Sequence, residues 1–149
     1  MPAGYTRADA VTFVESCVPK GWADGSPTWA IRESQGGDFV GMIGFIHRDE
    51  SMVDVGYWLA PSARNRGLMT AALELACDFA FRADGMRMAR IEWHAYVGNY
   101  PSAAVARRVG FQFEGIARQG AYQRGQRRDC WVAGLLRDDL RTPVDWPEL

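Results

Sequence analysis

The sequence predicts an α/β (α+β) domain: a mixed, mostly antiparallel sheet with helices on both faces. Two observations lead there. Six short β-type segments succeed one another, and helix-period stretches interrupt them after the third and fourth. A strand–helix–strand unit inside a meander requires a crossover, and a crossover makes the sheet mixed.

Each element has its own local reason. Thr6, with Asp9 three residues on, reads as the N-cap of a short amphipathic stretch from Arg7 to about Cys17. Ala10, Phe13, Val14 and Cys17 share one side of it. Pro19 and the Gly21–Pro27 segment read as loop. Thr28–Glu33 reads as a strand, closed by the Gly36-Gly37 turn. Phe39–His47 is nearly all apolar, the mark of a strand covered on both faces. After a polar turn at 48–51, Met52–Leu59 is a strand in which Val53, Val55, Tyr57 and Leu59 alternate with Asp54, Gly56 and Trp58.

From Leu68 to about Ala83 the period becomes helical, with Leu68, Ala72, Leu75 and Phe79 as the apolar stripe and Gly85 as the stop. Met88–Tyr96 is a further strand. Gly98-Asn99 opens a loop, and Pro101 sits in the first turn of a short helix that ends before Gly110. Phe111–Gln119 and Arg128–Leu136 form two closing antiparallel strands joined through Gly120 and Gly125. The tail from Arg141, with two prolines, reads as a surface strap or as disordered.

The bulk numbers narrow the classes of function. A chain of 149 residues fits one domain, 1–149, with 142–149 as a tail. A net charge of −1 argues against a nucleic-acid binder. No stretch approaches the roughly 20 apolar residues that span a bilayer, and the N-terminus has no secretory pattern, so the expected location is cytoplasmic. Cys17, Cys77 and Cys130 are odd in number and lack CxxC spacing; all three read as reduced, mostly buried thiols. His47 and His94 stand without metal-ligand spacing, so no metal is expected.

The chemistry concentrates between Gly56 and Thr70. A strand runs into Pro61-Ser62-Ala63-Arg64-Asn65-Arg66-Gly67, which opens a helix at Leu68. The first turn of a helix exposes unpaired N–H groups and a partial positive charge. Arg64 and Arg66 add full charges, and Gly67 lets the backbone approach an anion closely. These features predict a phosphate or pyrophosphate site. The competing reading is an ordinary helix start with two solvated arginines.

This segment resembles the acetyl-CoA loop of the GNAT superfamily, Arg/Gln-x-x-Gly-x-Gly/Ala, here Arg64-x-x-Gly67-x-Met69, with Met69 in place of a small residue. Gly56-Tyr57-Trp58-Leu59 before the loop and Arg66-Gly67-Leu68-Met69-Thr70 within it are similar to the RimJ/RimL-type branch, which acetylates protein N-termini and other amines. Asn99-x-x-Ser102-x-x-Val105, Gly110-Phe111 and Glu114-Gly115 follow in the family's order. The resemblance covers Trp22 to Asp139. It implies the GNAT fold, with the sheet splayed around acetyl-CoA as cosubstrate. The family's first strand and helix have no counterpart here: the readings are a truncated start site or an unusually open acceptor groove, and a sheet edge exposed in this way would suit a homodimer.

By the resemblance, the pyrophosphate would sit on the backbone N–H groups of Arg66 to Thr70, thus including Gly67, Leu68 and Met69. The pantetheine arm would run between the strands ending at Leu59 and near Tyr96, pairing with main-chain groups of Trp58, Leu59 and Ala60. Asn99 would bond the pantetheine region, Ser102 would lie near the thioester sulphur, and Arg107 would reach the nucleotide end.

Acetyl transfer to an amine needs a base, an oxyanion donor and a proton for the departing thiolate. A backbone N–H near Leu59 is the expected oxyanion donor. Asp54, set among apolar neighbours, is the first candidate base; its other reading is a partner of a nearby arginine that shapes the site. Glu92 and His94 are the alternatives on the next strand. Many family members place a tyrosine seven residues after the asparagine, but here that position is Ala106. Ser102 or a water would then protonate the thiolate, though Ser102 reads equally as a helix-start residue.

The acceptor is expected to be a primary amine, on a protein N-terminus or a small molecule. Trp22, Trp29, Trp58 and Trp93 read as core or as groove lining. The Arg- and Gln-rich stretch 122–128 reads as a hairpin over the acceptor entrance or as a solvated turn. A non-catalytic acyl-CoA-binding module and a nucleotide-binding domain are the other two readings of the chain; the second lacks GxGxxG and the P-loop lysine.

Overall fold

The computed structural model describes residues 4–147. Thr6 caps the first helix, α1 (Arg7–Thr12), in a reciprocal box: its hydroxyl accepts from Asp9 N–H while the Asp9 carboxylate accepts from Thr6 N–H (2.7 Å). The chain then widens into a π-turn at Phe13–Cys17 and continues as α2 (Val18–Ala23). Helix therefore runs through Pro19, where the sequence reads as loop. Pro19 follows directly on the π-turn, where Val18 N–H reaches back to Phe13 O; that wider turn gives room for its ring at the cost of one N–H bond to the preceding turn. No residue of α1, the π-turn or α2 is buried, so Cys17 is exposed while Cys77 and Cys130 are buried.

Six strands follow in one sheet: β1 (Thr28–Arg32), β2 (Phe39–Asp49), β3 (Met52–Leu59), β4 (Arg90–Tyr96), β5 (Gln112–Gln123) and β6 (Gln126–Leu136). Their spatial order is β1-β2-β3-β4-β6-β5. Only β3 and β4 run parallel, joined by the crossover helix α3 (Leu68–Phe81). A shorter helix, α4 (Tyr100–Val109), connects β4 to β5. The closing hairpin is longer than its sequence pattern because Arg124 (φ 50°) and Gly125 (φ 79°) make a tight two-residue turn and strand pairing continues up to it.

Alternation sorts the side chains of β3 and β4 onto two faces. Val53, Val55, Ile91 and Trp93 lie on one face, all buried at 5% exposure or less. Helix α3 covers them with Leu73, Ala76 and Cys77, and α4 with Ala103, Ala106 and Val109. Trp22 of α2 joins this same side through edge contacts with Trp29 (5.2 Å) and Phe79 (6.1 Å). Thus α2, α3 and α4 all pack on one face, and they do not form the helical layer expected over the other. That second face carries Asp54, Gly56, Trp58, Glu92 and His94, a polar surface that gains little from an apolar helix.

The tail is an ordered strap. Trp146 is buried, its Nε1 donates to Phe111 O (2.7 Å), and its rings lie 5.5 Å from both Trp93 and Phe113. Arg141 pairs with Asp78 and lies over the Phe81 ring.

Candidate functional site

The site originates in a divergence of two strands. Parallel pairing of β3 with β4 runs from Met52↔Arg90 to Val55↔Trp93 and stops. Antiparallel pairing of β3 with β2 persists to Leu59↔Gly41, and Ala60 N–H still reaches Val40 O at 2.8 Å. That last bond sets the parity. In an antiparallel ladder alternate residues turn both polar backbone groups to the same neighbour. Residues 54, 56 and 58 direct theirs, and Ala60 its N–H, to β2; residues 57 and 59 direct theirs toward β4, which has already turned away.

The backbone groups aimed into the gap therefore belong to Tyr57 and Leu59. Trp58 and Ala60, expected to offer theirs to a ligand, have them engaged: those of Trp58 and the Ala60 N–H go to β2, and the Ala60 carbonyl accepts from Ala63 N–H (3.0 Å). Trp58 still borders the cleft, but Ala60 does not. The Leu59 carbonyl accepts from Arg64 Nε (3.2 Å), which leaves its N–H as the open donor.

The gap widens into a cleft of about 590 Å³ between the end of β3, the α3 N-terminus and α4. Leu59, Ala63, Pro101, Ala104 and Val105 supply apolar walls, and Arg64, Arg66 and Arg108 line it with charge. At the start of α3, Gly67 takes a left-handed conformation (φ 76°), which a side chain would strain. The first helical backbone bond is Ala71 N–H to Gly67 O (3.0 Å), so Leu68, Met69 and Thr70 keep the orphan N–H groups of the first turn. All three border the cleft. Met69 points its side chain into the core, where it is 6% exposed, so its bulk does not obstruct the loop. Arg66 is held by an ion pair to Glu33.

Helix α4 presents Asn99, Ser102, Val105 and Arg108 to the cleft, a helical i, i+3 row. Arg107, expected here, faces away: its guanidinium bonds Val144 O and Asp145 Oδ1 (both 3.4 Å) in the tail. One residue along a helix is a rotation of about 100°, and Arg108 stands on the cleft side in its place. The i, i+3 spacing from Asn99 was the available signal. Asn99 Oδ1 caps α4 by accepting from Ser102 N–H (3.4 Å).

Beneath α4 lies a network absent from the sequence reading. Trp93 Nε1 donates to Tyr57 Oη (2.9 Å) and to Ser102 Oγ (3.2 Å). Tyr57 Oη donates to the Ser102 carbonyl (3.0 Å) and accepts from Ser102 Oγ (3.2 Å). Burial pushes the Tyr57 phenol up to about 12, so it stays a neutral donor. Ala106, at the position of the missing tyrosine, is fully buried.

On the polar face, Asp54 is 8% exposed and held by Arg48 through Nε (2.7 Å) and Nη2. Sheet register sets Glu92 beside it. Glu92 Oε1 lies 3.5 Å from His94 Nε2 and 3.6 Å from Arg90 Nη2. His94, which looks isolated in the sequence, thus stands with two carboxylates, the three offering ligand atoms within 4.8 Å of one another. Guanidinium groups of Arg48 and Arg90 already neutralise those carboxylates. His94 is the exposed member, at the edge of the strand divergence.

No helix among the described residues is long and apolar enough to cross a membrane.

The chain is similar to known proteins in sequence and in fold. The acetyltransferase (GNAT) domain model matches residues 1–112. Two Bacillus subtilis (strain 168) proteins are similar. YdaF, provisionally named a ribosomal N-acetyltransferase, is 35% identical over 103 residues, 68% of this chain and 55% of its own. YjcK, named a probable N-acetyltransferase, is 34% identical over 85 residues, 57% of this chain and 46% of its own. The chain thus spans about half the length of these relatives. Among solved structures, a probable acetyltransferase superposes with a TM-score of 0.73 at 32% identity, covering 85% of this chain and 73% of that one. Mycobacterium smegmatis RimJ in complex with CoA-disulfide gives 0.75 at 25% identity, covering 91% and 68%. With its sheet divided at Val55 and Trp93 and a glycine-led helix at the mouth of the gap, the chain belongs to the acetyltransferase (GNAT) domain family.

Proposed function

We propose that this protein is an acetyl-CoA-dependent N-acetyltransferase that moves acetyl to a primary amine by direct attack in a ternary complex. One observation carries the reading: the strand divergence aims main-chain groups of Tyr57 and the open N–H of Leu59 into a cleft whose far end holds three orphan helix N–H groups and cationic side chains.

The residues divide the work by position. The N–H groups of Leu68, Met69 and Thr70, with Arg64 and Arg108, take the pyrophosphate end. Leu59 N–H donates to the oxyanion as the thioester carbonyl becomes tetrahedral. His94, exposed and steadied by Glu92, takes the proton from the attacking ammonium; Asp54, buried under Arg48, shapes the face instead. Ser102 Oγ, held by Trp93 and Tyr57, is placed to protonate the departing thiolate. The tetrahedral carbon then expels the sulphur, and the acetyl group remains on nitrogen. The acceptor amine comes from a protein N-terminus or a small molecule.

Calorimetric titration of acetyl-CoA into wild type and Arg64→Ala/Arg108→Ala tests the reading. Each lost charge-assisted phosphate contact is worth about 1.5–3 kcal/mol, so the double variant should bind at least about tenfold more weakly. Equal affinity would remove the pyrophosphate from this cleft.

A further inference from the structure

The β5–β6 hairpin carries a charge pattern that the acyl-donor site does not use. Arg118, Arg124, Arg127 and Arg128 are all exposed there. Arg127 bonds Gln119 O (3.2 Å) and lies over the Tyr122 ring. The side chains of Arg118, Arg124 and Arg128 form no hydrogen bond or ion pair among the described residues. Elsewhere the arginines other than Arg7 and Arg108 are engaged by side chains or carbonyls, among them Arg48 with Asp54, Arg66 with Glu33, Arg90 with Glu114 and Arg141 with Asp78. A chain of net charge −1 with carboxylates to spare leaves this cluster unneutralised.

Register places the cluster relative to the site. On β6, Val132 pairs with His94 and Cys130 with Tyr96. Strand β6 is regular, since both irregularities in its pairing add residues to β5. Residues 128, 130 and 132 therefore share the polar face with His94. The extra residues between Ala117 and Ala121 fold onto the same face, where a Cβ on Gly120 would stand 2.9 Å from Cys130 Sγ. Arg118 opens that bulge. From the His94 row to Arg128 is four residues of strand, about 13 Å at ~3.3 Å per residue.

We infer that the acceptor is a polypeptide N-terminus followed by acidic residues, its amine at His94 and its carboxylates at Arg128 and Arg118. The inference rests on the acetyl-transfer reading for the place of the amine. An extended chain advances ~3.3–3.6 Å per residue, so the matching acid lies about three to five residues after the amine. Unpaired guanidiniums repel polycationic small amines as they attract carboxylates. A peptide also fits better than nucleic acid, because the cluster is a few arginines, with Asp129 next to Arg128 in the chain, on an otherwise acidic protein.

The experiment compares acetylation of two peptides that share their first three residues and continue with Glu-Glu or with Lys-Lys. Wild type should favour the Glu peptide by about tenfold or more in kcat/KM, and the preference should shrink as salt rises and screens it. Arg118→Glu/Arg128→Glu should reverse the preference. Arg7→Glu/Lys20→Glu, the same change in net charge at two exposed sites on α1 and α2, should keep it. Equal rates for both peptides, or an unchanged preference in the hairpin variant, overturn the inference. If neither peptide is acetylated, the same pair is titrated for binding. Loss of Glu-peptide binding in the hairpin variant then upholds the inference while the transfer reading falls. Charge-independent binding overturns it. Binding of an RNA oligonucleotide that the hairpin variant loses, and that the Glu peptide does not displace, reassigns the hairpin and overturns the inference too.

Discussion

Tyr57 Oη and Ser102 Oγ stand 3.2 Å apart, and the indole N–H of Trp93 donates to both. This knot joins the last turn of β3 to the first turn of α4 across the cleft. Tyr57→Phe removes one acceptor of the indole and the donor to the Ser102 carbonyl. The expected result is a loss of about 1 kcal/mol of stability and a fall in kcat larger than any rise in KM for acetyl-CoA. Chemical denaturation and steady-state kinetics check the two parts separately. Unchanged kcat would make the knot structural only.

The same phenol gives a prediction in alkali. Burial raises its value from 10.0 to about 12, so the unfolded chain releases this proton before the native one does. Between those two values the unfolded state binds fewer protons, and stability falls as pH rises. Tyr57→Phe removes that slope. Denaturation midpoints measured across this interval should drop more steeply in wild type than in the variant.

Acid acts through a different pair. Arg90 grips Glu114 at two points (2.7 and 2.5 Å) and holds its carboxyl below the usual 4.5. Stability from this pair is present above that value and lost as pH falls through the lower native one. Glu114 is 40% exposed in its side chain, so solvent screening keeps the contribution to about 0.5 kcal/mol. Glu114→Gln should flatten the acid limb of the stability profile by that amount. Gly134 lies directly beneath the pair, and a Cβ there would meet both partners. Gly134→Ala should therefore displace the pair and weaken the same pH dependence.

His94→Gln tests the assignment of the base. Loss of a general base typically costs about 10²–10⁴ in rate. Acetyl-CoA affinity should stay unchanged, since His94 lies on the acceptor face. Asp54→Asn should cost stability by weakening the hold on Arg48, with kcat reduced by less than about tenfold. The reverse ranking of the two kcat values would return the base to Asp54.

Trp146→Ala tests the strap. Truncating a buried tryptophan costs about 3–5 kcal/mol, and this one also satisfies Phe111 O. Unfolding should shift accordingly, and proteolysis near the C-terminus should become faster.

What was legible in the sequence was local. Thr6–Asp9 is a cap because the two side chains are three residues apart, and β3 ends at Leu59 because Pro61 follows. Gly67 marks a helix start for the same reason. Each depends on a few neighbours along the chain, and each stands in the structure at its expected place. The apolar stripe of α3 does not: of the expected Leu68, Ala72, Leu75 and Phe79, Leu75 is 70% exposed, and Met69, Leu73, Ala76, Cys77 and Ala80 face the core, because the sheet beneath and not the helix period alone selects the buried side. The helix period of α4 also held the answer to Arg107 against Arg108, once Asn99 and Ser102 are set on the cleft side.

What tertiary structure alone decided was pairing between distant segments. Nothing near Asp54 in sequence announces that Arg48 takes its carboxylate, since six residues and a hairpin turn separate them. Tyr57 meets Ser102 across 45 positions, and His94 gains its neighbour Asp54 only through the register of a parallel pair. Parity along β3 likewise gave the open N–H to Leu59 and closed those of Trp58 and Ala60, because strand partners, unlike side-chain types, are set by where the sheet divides. The sequence by itself determined the glycine-led helix start at 64–70, because it is the backbone of one continuous segment. The fold decided the polar face, because that surface is assembled from β3, β4 and the β5–β6 hairpin, and only long-range packing brings them together.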